Sequence, residues 1–192
     1  MNLDDERGWV EQARQDPEAF KHLYRHYVPR LYAYVSYRVG RSQDTEDFVA
    51  ETFLKAVEGI QCFEWRREGS FAAWIFSIAH NLISTFWRRD KRQRDMLPLD
   101  VLPEIQAHEL LPDDVVLQKE NFAHLRSLIG MLSPRQQEVI TLKFFGGLRN
   151  QEIAEILELN ERTVAAYLCR GLEELHGKYV GELARTKKGG SR

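Results

Sequence analysis

The sequence predicts an all-α protein: two small helical domains joined by an acidic linker, the second a helix-turn-helix. Three observations predict it. Apolar residues recur almost everywhere at three- and four-residue steps, with no strong strand-like alternation. Residues 96–118 interrupt that pattern with Pro98, Pro103 and Pro112, five acids and no Lys or Arg. Beyond them, "NQEIAEILELNERTVAAYLCRGLEEL" spaces a short helix, a tight turn and a second helix with polar residues at its start. The expected boundaries are 1–95 for the first domain, 96–118 for the linker, 119–181 for the second domain and 182–192 for a disordered basic tail.

Each element has its own local signal. Asp16 followed by Pro17 starts a helix whose stripe is Phe20, Leu23, Tyr24, Tyr27, Leu31, Tyr34 and Val35. Pro29 lies inside it and is expected to kink or divide it, and Gly40 ends it. Ser42 or Asp44 caps the next helix, with acids in its first turn where the helix dipole favours them. Its stripe is Phe48, Val49, Phe53, Ala56, Val57 and Ile60. After the loop "QCFEWRREG", Ser70 is the expected N-cap of a helix built on Phe71, Trp74, Ile75, Ile78, Ala79, Leu82, Ile83 and Phe86.

In the second domain Phe122, Leu125, Ile129 and Leu132 make the first stripe. "SPRQ" at 133–136 is a capping box, with Pro134 at the first helical position. Gly146 and Gly147 stop that helix. Ile153, Ala154 and Leu157 then face Val164, Leu168 and Leu172 across the turn, where Asn160 caps the second helix and small Ala154 permits close approach.

Composition excludes several classes. No apolar run approaches the roughly 20 residues of a membrane helix. The start "MNLDDERGW" is acidic and polar, unlike a secretory signal. Cys62 and Cys169 are far apart and in no CxxC pair, which suits the cytoplasm and argues against a disulfide framework or zinc knuckle. No GxGxxG, P-loop, HExxH or GxSxG string is present, so no enzyme activity and no cofactor is expected. His22 and His26, at i and i+4, read as polar-face residues because no third metal ligand is apparent.

The charge pattern points to nucleic acid met with help. The net charge is −2, and Ser133 to Tyr179 holds six Lys or Arg against seven Asp or Glu. Such a module should bind duplex DNA weakly alone, since non-specific affinity comes from neutralising phosphates. The stretch "STFWRRDKRQR" is locally basic instead. Arg88, Arg89, Arg92 and Lys91 can track a backbone, and Phe63, Trp65 and Trp87 can stack or wedge against bases, the combination single-strand capture needs. Trp74 and Phe86, on the apolar stripe, are expected in the core. Asp44, Glu46, Asp47 and Glu51 beside Val49, Phe53 and Leu54 make an acidic and apolar helix face suited to docking on a basic partner helix.

In this order the blocks resemble the bacterial RNA polymerase sigma factors of the small, two-domain extracytoplasmic-function group, over about residues 16–180. "DTEDFVAETFLKA" resembles the segment that binds the clamp helices of the largest polymerase subunit. That implies contacts by Asp44, Asp47, Val49, Glu51, Phe53 and Leu54. "FAAWIFSIAHNLISTFWRRDKR" resembles the "WL-x-x-I-A-R-N-x-x-x-D-x-x-R-R" signature through Trp74, Ile78, Ala79, Asn81, Arg88 and Arg89. It implies minus-ten contacts by Phe63, Trp65, Arg66, Arg67, His80, Asn81, Trp87, Arg88, Arg89 and Arg92, with an extruded base received by the loop at 61–69. "LSPRQQEVITLKFFGGLRNQEIAEILELNERTVAAYLCRGLEEL" resembles the minus-thirty-five reader, implying contacts by Arg149, Glu161, Arg162, Thr163, Ala165, Ala166, Cys169 and Arg170.

The implied partners are core RNA polymerase, through its clamp helices and the flap of the second-largest subunit, promoter DNA, and an anti-sigma factor, with no membrane insertion. The sequence departs from the pattern at His80 and Thr85, where Arg and Asp are usual, and at "RTVAAY", where "GTVKSR" is common. Glu158 stands where the turn usually has Gly, so a strained turn is expected. Arg149 replaces a common Ser or Thr cap, leaving Asn150 as the expected substitute. The rival interpretation is a stand-alone helix-turn-helix regulator with a helical sensor domain, which would bind duplex DNA without polymerase.

Overall fold

The computed structural model describes residues 3–40, 42–94 and 124–189. Among these the backbone forms helices and two short 3-10 turns, with no strand. The expected linker at 96–118 lies outside the described residues, as does Phe122.

Helix α1 (Leu3–Gln15) was not anticipated. Its signal is short: acids at Asp4, Asp5 and Glu6, then Trp9, Val10 and Ala13 at helical spacing, of which Val10 and Ala13 are buried. Asp16 caps the 3-10 turn Pro17–Ala19 by accepting from Glu18 N at 3.0 Å. Helix α2 (Phe20–Val39) then runs through Pro29 undivided. An interior proline costs about 3 kcal/mol. Leu23, Tyr27, Leu31, Tyr34 and Val35, all buried on one stripe around it, contribute roughly 1.5–3 kcal/mol each and outweigh that cost. Gly40, at φ 87°, ends the helix in the left-handed conformation.

Helix α3 (Ser42–Gly59) turns Val49, Phe53 and Ala56 inward, and the 3-10 turn Ile60–Cys62 closes it. Helix α4 (Ser70–Arg94) buries Phe71, Ile75, Phe76, Ala79 and Ile83 against α2 and α3. Two core expectations fail in part. Trp74 is only half-buried, and Phe86 is exposed, resting on Phe48 at 5.4 Å and Trp87 at 5.2 Å. Both lie at the edge of the stripe, where α3 no longer covers the whole ring.

In the second half, residues 124–130 form helix α5, with Leu128 and Ile129 buried and Leu125 exposed. Helix α6 (Pro134–Phe144) opens with the expected capping box: Gln136 N donates to Ser133 Oγ at 3.4 Å, and Ser133 N donates to Gln136 Oε1 at 2.9 Å. Helix α7 (Asn150–Leu157) and helix α8 (Glu161–Gly189) complete the fold. Leu172, expected to face inward, is exposed. α8 continues through residues 182–189, where a disordered tail was expected. "ELARTKK" contains good helix formers and no breaker, so a nucleated helix propagates through it.

The two halves pack directly on each other, and one hydrophobic cluster runs through both. Tyr37 of α2 stacks on Phe145 just past α6, with ring centroids 5.1 Å apart. Arg30 donates from Nε to Gly146 O at 2.8 Å and from Nη2 to Gly147 O at 3.2 Å. Arg38 pairs with Glu138 at 3.8 Å.

Candidate nucleic-acid interface

The loop between α3 and α4 is built from its aromatic anchor outward. Phe63 is only 6% exposed, with its ring 5.0 Å from Trp74 and 5.4 Å from Phe71. The expectation that Phe63 stacks on a base meets a ring packed in the core against Trp74 and Phe71. Trp65 is half-buried and meets Phe63 edge-on at 6.4 Å. Arg66 is exposed and pairs loosely with Glu64 at 3.7 Å. Gly69, at φ 77°, turns the chain into α4 where an added Cβ would collide with the Glu152 carboxylate. Ser70 is the first helical residue rather than the expected side-chain cap, and its buried Oγ has no hydrogen-bond partner among the described residues.

Beside this loop lies a cleft of about 470 Å³, lined on the α4 side by Ser70, Ala73, Trp74 and Ser77 and on the loop side by Cys62, Phe63, Glu64 and Arg66. Trp74, Ser77, Asn81, Thr85 and Arg88 follow at three- and four-residue steps and so lie along one face of α4 leading away from it. Asn81, Trp87 and Arg88 are exposed, and Arg88 donates to Thr85 Oγ1 at 3.1 Å. Arg89 and Arg92 lie on α4, but their side chains fall outside the described residues. His80 points elsewhere. Its ring is half-buried, with Nδ1 3.3 Å from Tyr34 OH and Nε2 3.5 Å from Ser84 Oγ. Burial lowers the imidazole pKa despite nearby Glu138, and burial also pushes the Tyr34 hydroxyl up to about 12. His80 is therefore held by Tyr34 and Ser84 within the first half, away from the α4 face that leads from the cleft.

On α3 the expected docking residues divide. Asp47, Glu51 and Leu54 are exposed and Asp44 is half-buried, while Val49 and Phe53 are in the core. The contrast is clear in their exposure: Leu54 is 59% exposed and Phe53 only 5%. The sequence stripe hid this because Leu54 and Phe53 are neighbours on adjoining faces. Leu54, Val57 and Tyr24 instead border a shallow apolar depression that also includes Pro17 and Phe20.

The helix-turn-helix forms as expected, with one change of cap. Arg149 precedes α7, and its N–H donates to Glu152 Oε2 at 2.8 Å; Asn150 instead accepts from Lys143 Nζ at 3.2 Å. Glu158 is left-handed at φ 55°, and Leu159 N reaches back to Ala154 O at 2.9 Å. Asn160 accepts from Thr163 N and Thr163 Oγ1, both at 2.8 Å, so Thr163 belongs to the cap. Glu161, Arg162, Ala165, Cys169 and Arg170 are exposed along α8 and Ala166 is half-buried. Cys169 donates to Glu173 at 3.2 Å, and that carboxylate raises the thiol pKa.

The two candidate surfaces meet. Glu155 and Ile156 of α7 line the far wall of the cleft. Arg149 pairs with Glu68 of the loop at 2.7 Å and with Glu152 at 2.9 Å, while Arg67 pairs with Glu155. Among the described residues no group of three or more His, Cys, Asp or Glu is placed to hold a metal, and no helix is long and apolar enough to cross a membrane.

Comparison with known proteins decides what these surfaces belong to. The family model described as Sigma-70 region 2 matches residues 23–93, and that described as Sigma-70, region 4 matches residues 123–175. The ECF RNA polymerase sigma factor SigX of Bacillus subtilis is 30% identical over 161 residues, covering 82% of this chain and 82% of SigX. The chain belongs to the extracytoplasmic-function sigma factors of RNA polymerase. BldN, the ECF sigma factor of Streptomyces coelicolor, is 32% identical over 167 residues, 86% of this chain; the match spans 62% of BldN's length. Two solved structures share the fold. CnrH, in complex with the cytosolic domain of CnrY, superposes with TM-score 0.67 at 23% identity, covering 94% of this chain and 99% of that one. The sigma factor RpoE of Bartonella quintana, in complex with the anti-sigma factor NepR, gives 0.62 at 24% identity over 82% and 94%. Sigma factors direct promoter-specific transcription initiation, and that function class replaces the stand-alone regulator as the frame for this chain.

Proposed function

We propose that this sigma factor binds core RNA polymerase through α3 and opens promoters by receiving a base of the minus-ten non-template strand in the cleft beside Trp74. The observation that carries this is the continuous α4 face from the cleft to Arg88, which gives an extruded base a half-buried aromatic wall and its backbone a basic exit. Ser70 Oγ supports it, being a buried polar atom on the cleft that lacks a hydrogen-bond partner among the described residues. Arg66, Arg67, Asn81, Trp87, Arg88, Arg89 and Arg92 form the strand-facing set, with Trp74 in place of Phe63.

The polymerase-facing surface is Asp47, Glu51, Leu54, Val57 and Tyr24, docking on the clamp helices of the largest subunit. α8 presents Arg162, Ala165, Cys169 and Arg170 to the minus-thirty-five major groove, and the same module meets the flap of the second-largest subunit. The proposed working divisions are a polymerase and minus-ten domain at 1–95, a linker at 96–118 and a minus-thirty-five domain at 119–181. The protein acts in the cytoplasm, as a specificity subunit without catalysis of its own. The anti-sigma factor NepR named for the RpoE structure supports such an inhibitor as a proposed partner here.

The closed arrangement has a consequence for the cycle. Two promoter elements 25 base pairs apart are separated by about 85 Å at 3.4 Å per pair. The α7 wall lies against the minus-ten cleft, so the halves must part before both elements are engaged. In vitro transcription with core polymerase on genomic fragments tests the function. Start sites preceded by shared minus-ten and minus-thirty-five sequences are expected, and tight, specific duplex binding without polymerase would overturn it.

A further inference from the structure

α1 lies N-terminal to residues 23–93, the segment matched by the region 2 pattern, yet it is fastened to the loop that borders the cleft. Arg14, in the last turn of α1, donates from Nε to Ile60 O at 3.3 Å and from Nη2 to Phe63 O. Gln61 Nε2 returns the contact, donating to Arg14 O at 2.6 Å. The exchange is reciprocal: a guanidinium takes two loop carbonyls, and the loop takes a carbonyl that the helix end leaves unpaired.

The surroundings show why the clasp matters. A second cavity, of about 600 Å³, lies between α1 and the loop. Cys62, Phe63, Glu64 and Arg66 line both this cavity and the cleft beside Trp74. The loop is therefore a thin wall with open space on each side. Phe63 pins its inner side through its ring, and Arg14 and Gln61 are the hydrogen bonds that brace it from α1. Hydrogen bonds from a charged donor are roughly twice as strong as neutral ones, and a forked guanidinium fixes two acceptors at once.

We propose that Arg14 is a positioning residue for promoter opening, holding the loop Ile60–Arg66 at the distance from Trp74 that admits one extruded base. Arg14 touches no DNA in this scheme; it acts through the backbone carbonyls of Ile60 and Phe63. α1 itself stays seated by Val10, Ala13 and the buried Glu6–Tyr27 hydrogen bond, so loss of the clasp frees the loop and not the helix.

The proposal rests on the cleft being the base receiver, and the experiment separates the two. Holoenzymes carrying Arg14→Ala, Arg14→Lys, Val10→Ala or Trp74→Ala are bound to pre-melted templates that differ only in the captured minus-ten base, and the affinity ratio between best and worst base is measured. Arg14→Ala is expected to cut this ratio at least tenfold. Lysine reaches one carbonyl instead of two, so Arg14→Lys should fall between, and it replaces Arg14→Ala should that variant fail to fold. Val10→Ala, which loosens α1 while leaving the Arg14 and Gln61 hydrogen bonds to the loop in place, should stay within twofold of the parent, and affinity for core polymerase should be unchanged. An intact ratio in both Arg14 variants, with a collapsed ratio in Trp74→Ala, overturns the role of Arg14 alone. Equal losses in Val10→Ala and Arg14→Ala also overturn it, since α1 stability would then be the cause. An intact ratio in Trp74→Ala overturns the base-receiving cleft and the proposal with it.

Discussion

Arg67, in the loop between α3 and α4, is ion-paired with Glu155 on the first helix of the helix-turn-helix, with Nε 3.2 Å from Oε1. One salt bridge thereby engages a residue from each of the two halves. Arg149 doubles the link through Glu68. Exposed pairs contribute about 0–1 kcal/mol each, so the linkage is weak enough to be exchanged for DNA phosphates. Glu155→Arg should loosen the halves. A compact chain of this length has a radius of gyration of about 16 Å, and small-angle scattering should show the variant well above it. Arg67→Glu combined with Glu155→Arg should restore compaction, whereas a Glu155→Arg variant that stays compact would show that Tyr37 and Phe145 hold the halves together without the ion pairs.

Leu54 and Val57 are exposed on α3 while Phe53 is in the core. Leu54→Ser with Val57→Ser should weaken polymerase binding at least tenfold in a fluorescence assay. The melting temperature should move little, because surface changes usually stay within about 0.5 kcal/mol. Phe53→Ala should behave oppositely, costing about 3–5 kcal/mol of stability through the cavity it leaves.

Arg88→Ala with Arg89→Ala should slow promoter opening, read by permanganate reactivity of minus-ten thymines, while pull-down with core polymerase remains normal. Each lost phosphate contact should also flatten the salt dependence of strand binding by about one unit of slope or slightly less. Loss of polymerase binding would contradict this division of labour.

Glu158 holds a left-handed conformation at φ 55° that costs a non-glycine L-residue roughly 1–2 kcal/mol. Glu158→Gly should recover part of that, offset by the greater entropy of glycine in the unfolded chain. A net gain of about 0.5–1 kcal/mol is expected by urea denaturation, with minus-thirty-five binding unchanged.

Glu6 is buried and accepts a hydrogen bond from Tyr27 OH. Burial raises its pKa above the usual carboxylate value, more than the Tyr27 bond and the Arg30 charge lower it. The folded protein therefore holds this proton to higher pH than the unfolded chain does. Stability falls as pH rises from the ordinary Glu value through the raised one. Glu6→Gln removes this penalty while its amide oxygen can still accept from Tyr27. The melting-temperature advantage of the variant should be larger at pH 8 than at pH 4.5, and an advantage independent of pH would show that Glu6 is not the titrating group.

Much of this was legible in the sequence because helices are local. The 3.6-residue periodicity marked α2, α3, α4, α6, α7 and α8, and the caps at Ser133 and Asn160 formed as their spacing required. The left-handed Glu158 also followed from its place in the turn. Helix α1 escaped because its stripe is only Trp9, Val10 and Ala13, too short to separate from chance.

The family, the helical class and the order of its functional blocks were thus decided by local pattern, since backbone hydrogen bonds and caps act within a few residues. The tertiary structure alone decided which side of each stripe remains exposed. It buried Phe63, Val49 and Phe53 and left Leu54 and Val57 exposed, because burial depends on which helix covers which side chain. It also decided that Arg67 meets Glu155 across 88 residues of chain and that Arg14 braces Phe63 across 49. Spacing cannot encode such pairs, because their partners become neighbours only after the helices pack.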